Sequence, residues 1–346
     1  MLVQARLAAA GALALLPVTW PMLLGPFTSE GSDQIAAEVA LTFADERIDE
    51  SSGLVVTGDT VLTVNDSGDG PSLYGVDRAT GETTGVTTFS PEDPVDVEAL
   101  APGTNGAVWV GDIGDNRRSR ESVTVSRVDP APGGGTVDAP AYTLRYADGP
   151  HDAETLLVHP RTERVLLVTK RPFIGGEVHR APADLRPGVV HRLEKVATVP
   201  GMVTDGAFLP NGDHVLLRTY GSAAVYTYPG FDQVVSFELP EQEQGEALAI
   251  GPDGRVYLST EGELSDVLVV DLPEVVREGT SAAGGGPTAE PEPPPREAPD
   301  QQAGSGATEP DSGGGASYLA VPAAVLGAAG LAWAVRASRR RSRRTL

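Results

Sequence analysis

Five residues occupy the third place of a phrase that recurs along this chain: Ser52, Glu98, Glu154, Gly206 and Glu246. The copies are Glu50-Ser51-Ser52-Gly53-Leu54, Asp96-Val97-Glu98-Ala99-Leu100, Asp152-Ala153-Glu154-Thr155-Leu156, Thr204-Asp205-Gly206-Ala207-Phe208 and Gln244-Gly245-Glu246-Ala247-Leu248, spaced by 46, 56, 52 and 40 residues. Carboxylates and a hydroxyl are hard oxygen donors of the kind that Ca²⁺ gathers around itself. If one position per repeat faces a common axis, three carboxylates meet there and repel strongly, unless a cation sits between them. Ser52, Glu98, Glu154 and Glu246 are therefore the expected metal ligands, and Gly206 could add only a backbone carbonyl. The chain has no cysteine, and the set has no histidine, so zinc is a less natural occupant than Ca²⁺. The alternative is that these acids cap loops or accept from strand amides without a metal.

A second ring follows each axial position by about twelve to sixteen residues: Asn65 and Asp66, Asp112, Lys170 with Arg171 beside it, Arg218, then Thr260 and Glu261. Lys170 and Arg218 could hold a phosphate or carboxylate as charge-assisted donors. With Asn65 and Glu261 they make the expected ligand-binding set. The competing reading is a ring of salt bridges. If chemistry occurs, Asp66 or Asp112 is the candidate general base. The loop Asp112-Ile113-Gly114-Asp115-Asn116 could bind a second cation, or could be a tight turn held by local backbone bonds. The five histidines suggest no triad, and neither a Gly-x-Ser-x-Gly elbow nor a His-Glu-x-x-His helix occurs.

The elements that must position these residues are strands. A repeat near this length, filled with short β-forming runs and Gly, Asp and Pro turns, predicts an all-β, five-bladed β-propeller over 36–276. The phrase begins the inner strand of each blade, and the second ring ends the next strand, which returns to the same face. The last repeat supplies only three strands. The alternating segment Glu38 to Phe43, which precedes the first repeat, is expected to supply the fourth and close the ring against Val267 to Val270. A sixth blade could be hidden only in the longer second or third repeat.

Composition bounds partners and compartment. The net charge of -22 argues against nucleic acid, because a polyanion would be repelled. Residues 1–30 read as a signal peptide or N-terminal anchor, with an apolar run after Arg6. Residues 279–316 are rich in Gly, Pro, Glu and Ala and read as a disordered linker. Residues 318–335 are uncharged and just long enough for a transmembrane helix. Six arginines follow in 336–346, which places that tail on the cytoplasmic side. The expected topology is a single pass through the cell membrane with the propeller extracellular.

The order serine, glutamate, glutamate, small residue, glutamate, one per blade, resembles the calcium-activated nucleotidases (apyrases). That resemblance implies a central Ca²⁺ held by one residue from each blade and hydrolysis of nucleoside phosphates beside it. The chain departs from the family at Gly206, where the family has serine. Glu50-Ser51-Ser52-Gly53-Leu54 and Gly111-Asp112-Ile113-Gly114-Asp115-Asn116 look equally like a large group of exported bacterial propellers. Related phrases occur in gluconolactonase-like and esterase-like phytase propellers. Two functions follow: an extracellular module that binds a ligand or protein partner around a structural Ca²⁺, or a Ca²⁺-dependent hydrolase of phosphate esters or anhydrides.

Overall fold

A computed structural model describes residues 35–66, 70–90, 94–274 and 276–277. These fall within one compact unit, Met1–Glu290; the other unit, Pro291–Leu346, lies outside the described residues. The leader, the linker, the apolar run 318–335 and the arginine tail lie outside them too. Among the described residues no helix is long and apolar enough to cross a membrane.

The chain starts with β1 (Ala37–Thr42) and then builds blades in order. Blade one holds β2 (Ser51–Thr57), β3 (Thr60–Asn65), β4 (Ser72–Asp77) and β5 (Thr83–Phe89). Blade two holds β6 (Val97–Pro102), β7 (Val108–Asp112) and β8 (Val123–Val128); after β9 (Gly135–Val137) it is continued by β10 (Ala141–Arg145). Blade three holds β11 (Ala153–Val158), β12 (Val165–Thr169) and β13 (Gly176–Arg180); after β14 (Val190–Arg192) comes its outer strand β15 (Glu194–Val199). Blade four is β16 (Asp205–Phe208), β17 (His214–Arg218), β18 (Ser222–Thr227) and β19 (Gln233–Glu238). Blade five has β20 (Gly245–Ile250), β21 (Val256–Thr260) and β22 (Asp266–Val270), and β1 pairs antiparallel to β22 as its fourth strand.

Each inner strand packs on the next, β2 on β6, β6 on β11, β11 on β16, β16 on β20, and β20 returns to β2. This closes a five-membered ring. The inner strands are apolar on both faces for that reason. Leu54 packs toward blade five and Val55 toward blade two, while Leu156 and Leu157 divide likewise between blades two and four. The core is accordingly five separate clusters, one at each junction of neighbouring blades. Strands covered on both sides read as continuous apolar runs rather than alternating ones.

The extra length of the second and third repeats does not make a sixth blade. It forms β9, which adds in parallel to the outer edge of blade one, and β14, which does the same for blade two. These outer additions cover an edge that would otherwise present unpaired amides.

Candidate functional site

The third residue of the phrase is carried by a recurrent irregularity. In blades one, two and three the pairing of the inner strand skips one residue, between Ser51 and Gly53, Val97 and Ala99, and Ala153 and Thr155. The skipped residues are Ser52, Glu98 and Glu154. In blade five the ladder breaks between Gly245 and Leu248, around Glu246. In blade four, which has Gly206 there, the pairing of the inner strand with the next is regular. A bulge re-aims a side chain and releases it from the ladder's alternation. The bulges thus occur where the sequence has a side chain to turn toward the axis.

All four side chains are buried, but they do not share one environment. Ser52 Oγ donates to Glu50 O at 3.3 Å. Glu154 forms a 3.1 Å ion pair with Lys170 Nζ, and Lys170 also lies 5.7 Å from the centre of the Tyr220 ring. Glu246 Oε1 accepts from Tyr220 Oη at 3.3 Å and from Gln244 Nε2 at 3.4 Å. Burial works against the Lys170 ammonium, but Glu154, Glu246 and Glu98 outweigh it and raise its pKa. Lys170 is therefore the central cation of the mouth.

Glu98 belongs to a different group. Its carboxylate and those of Asp66 and Asp96 offer oxygens that all lie within 4.8 Å of one another. Asp66 Oδ1 is buried with no hydrogen-bond partner among the described residues. Burial, then the neighbouring Glu154, Asp66 and Asp96 carboxylates, push Glu98 well above the usual carboxylate range. Burial and Asp66 push Asp96 up to about 7. Gly114 makes the crowding possible, because a Cβ there would collide with Glu98 Oε1 and Asp96 Oδ2. Glu261 lines the same wall, raised to about 8 by burial and by Glu246, Glu50 and Asp66.

The second ring divides. Asn65 Nδ2 donates to Arg47 O at 2.6 Å, fixing the entry to blade one. Arg218 is fully buried at the junction of blades four and five. Its Nη1 donates to Ala247 O at 2.9 Å and its Nη2 to Gln242 Oε1 at 3.1 Å. It thus holds two blades together instead of lining an open mouth. Asp112 forms a 2.9 Å ion pair with Arg120 and accepts from the Asp96 N–H at 2.8 Å. The Asp115 carboxylate accepts from Arg120 N at 2.7 Å, so the Asp112–Asn116 loop is a turn held by a local side-chain-to-backbone bond. Only Asp66, Lys170 and Glu261 of that ring join the axial acids.

Sequence reasoning passed over Asp96, although it stands first in the phrase. Glu50, Asp96 and Asp152 all stand two places before an axial residue, so an acid recurs at the head of the phrase in the first three repeats. Asp205 was also missed. It is fully buried beside Gly206 and accepts from Leu248 N at 2.7 Å, bridging blades four and five.

No family model matches the chain, and no curated relative matches it. Two solved structures described as glucose dehydrogenase are similar to it, at 12% identity with TM-score 0.42 and 13% with 0.39. Each alignment covers 69% of this chain and all of the other. At that level neither carries an argument about what this chain binds or does.

Proposed function

We propose that the chain is a membrane-anchored, extracellular binding propeller whose mouth takes a Ca²⁺-class cation at Asp66, Asp96 and Glu98. One observation carries this reading: three crowded carboxylates with no ion pair to a basic group among the described residues, beside a fourth, Glu154, that has its lysine. Oxygen-only donors suit a hard cation, and waters or an external ligand complete its shell. The β12–β13 loop beside this mouth carries Phe173, 96% exposed, and Ile174, which supply an apolar contact for a ligand or protein partner.

Hydrolysis of phosphate esters is the weaker reading. A cation could polarise a phosphoryl group, but the protein groups needed around it are committed elsewhere. Arg218 is sealed in an interface, Lys170 is paired with Glu154, and Asp112 is paired with Arg120.

The metal reading is tested by melting. An ion that binds only the folded chain adds roughly 2.7 kcal/mol at a hundred times its dissociation constant. Ca²⁺ should raise the melting temperature and a chelator should reverse it. Glu98→Gln should lose most of the Ca²⁺ response, and in chelator it should raise stability only at a pH high enough to ionise Glu98, whose proton burial and the neighbouring carboxylates retain. A melting temperature indifferent to both Ca²⁺ and chelator would remove the cation from the proposal.

The anchoring rests on the uncharged run 318–335 and the arginines behind it. Protease added to intact cells should free the propeller by cutting within 279–316. Protection of the propeller until the membrane is broken would overturn the topology.

A further inference from the structure

A second cluster lies away from the axial acids, where blade two passes into blade three. Glu177 and His179 are two residues apart on β13 and so share one face of the strand. His151 comes from the segment that leads from β10 into β11. The ring centroids of His151 and His179 are 5.1 Å apart, and Tyr146 packs edge-on against both at 4.8 Å. Glu177 Oε2 lies 3.7 Å from His151 Nδ1 and 3.5 Å from His179 Nε2.

The hydrogen-bond inventory of this cluster is incomplete. The His179 side chain is 1% exposed, yet neither ring nitrogen has a hydrogen-bond partner among the described residues, and neither has Glu177 Oε2. Buried imidazole nitrogens are normally satisfied, and an unsatisfied pair costs free energy that an absent partner would return. The other carboxylate oxygen, Glu177 Oε1, is held by Lys195 at 2.6 Å and by Arg171. That arrangement fixes Glu177 with Oε2 turned to the imidazoles.

We propose that His151, Glu177 and His179 form a binding site for a zinc-class transition-metal ion. Two imidazoles and a carboxylate are a ligand set that Zn²⁺ uses with an open fourth position. Metal–ligand lengths of about 2.0–2.1 Å in a tetrahedron put donors roughly 3.3 Å apart, close to the spacings of Glu177 Oε2 from each imidazole. His151 Nε2 lies 2.9 Å from Asp148 Oδ1, so this carboxylate fixes the tautomer that leaves Nδ1 as the donor. Burial and the neighbouring His151 lower His179 to about 4, which keeps its imidazole neutral. Burial would raise Glu177, but Lys195 and Arg171 outweigh it and hold the carboxylate ionised. The His151 side chain is 15% exposed and provides the way in. This site differs in chemistry from the oxygen-only cluster at the mouth.

The test uses the full chain, stripped of metal, with Co²⁺ as the spectroscopic probe and Zn²⁺ as competitor. One equivalent of Co²⁺ should give the intense visible bands of a tetrahedral site with nitrogen ligands, and Zn²⁺ should abolish them. A large excess of Ca²⁺ should leave them in place. His151→Ala, at the exposed edge, should lose the bands while still melting cooperatively. Asp148→Asn, which spares every ligand, should weaken binding about 10–100-fold. Absence of the bands from the wild-type chain, their survival in His151→Ala, or their displacement by Ca²⁺ would each overturn the site.

Discussion

A chain that begins at Glu50 should melt far below one that begins at Ile35, or should not fold at all. Removing 35–49 takes away β1, the outer strand of blade five, and leaves β22 paired on one side only, with β21. It also removes Leu41, Phe43 and Ile48, all buried in the junction between blades five and one. Burying side chains of this kind stabilises by about 1.5–3 kcal/mol each. Three of them together are comparable with the total stability of a typical domain, about 5–15 kcal/mol. The exposed edge of β22 would then invite aggregation. Two measurements decide the matter: thermal melting of both chains, and melting of Phe43→Ala, where a loss of about 3–5 kcal/mol is expected. Equal melting temperatures for the two chains would mean that the ring does not depend on β1.

Without divalent cation, the propeller should lose stability as pH rises from 6.5 to 8.5. Asp96 sits at about 7 and Glu261 at about 8, each raised first by burial and then by neighbouring carboxylates, whereas Glu154 keeps its charge through Lys170. In the unfolded chain these groups titrate near 4. Between the two values the native state holds protons that the unfolded state has released, so stability falls as pH rises. A group at about 8 loses about 2 kcal/mol over this window, at 1.36 kcal/mol per unit. These groups feel one another, so the losses are not additive. His179 works in the opposite sense, since its lowered value makes stability rise with pH, but only about 0.4 kcal/mol of that contribution remains above pH 6.5. The window is chosen above most of it. Saturating Ca²⁺ should flatten the slope by replacing the lost protons with a cation. A melting temperature in chelator that rises from pH 6.5 to 8.5 would show that the acids are already neutralised by protein groups.

The five-blade count and its closure were legible because they depend on one-dimensional information. Repetition of the phrase counts the inner strands, and the absence of a fourth strand after Val270 requires an outside donor. The position of Glu98, Glu154 and Glu246 near the axis was legible for the same reason, since each repeat places its third residue alike. Legibility ended where residues from different repeats meet. Arg218 and Lys170 both stand at the end of the second strand of their blades, yet Arg218 pairs in the ladder opposite Asp205 and is sealed against Ala247 O, while Lys170 stands one place beyond Thr169 and pairs with Glu154. That one-place offset turns the side chain to the other face and is set by the pairing register. The extra residues of the second and third repeats read as a possible sixth blade, whereas they pair in parallel with the blade before.

What the amino-acid sequence determined alone is the architecture, because a strand's two apolar faces and its turn residues are local properties repeated five times. Only the tertiary structure decided the chemistry. A bulge turns each axial side chain off the alternation of its strand, so the direction of the carboxylate does not follow from position in the phrase. Asp66 from blade one meets Asp96 and Glu98 from blade two, and His151 meets His179 across the joint before blade three. Those meetings depend on distances of a few ångströms between residues 28 or more apart in the chain. Electrostatic energy varies as the inverse of such distances and of the local dielectric. Which acid keeps its charge, which takes a lysine and which awaits a cation is therefore set by the closed ring.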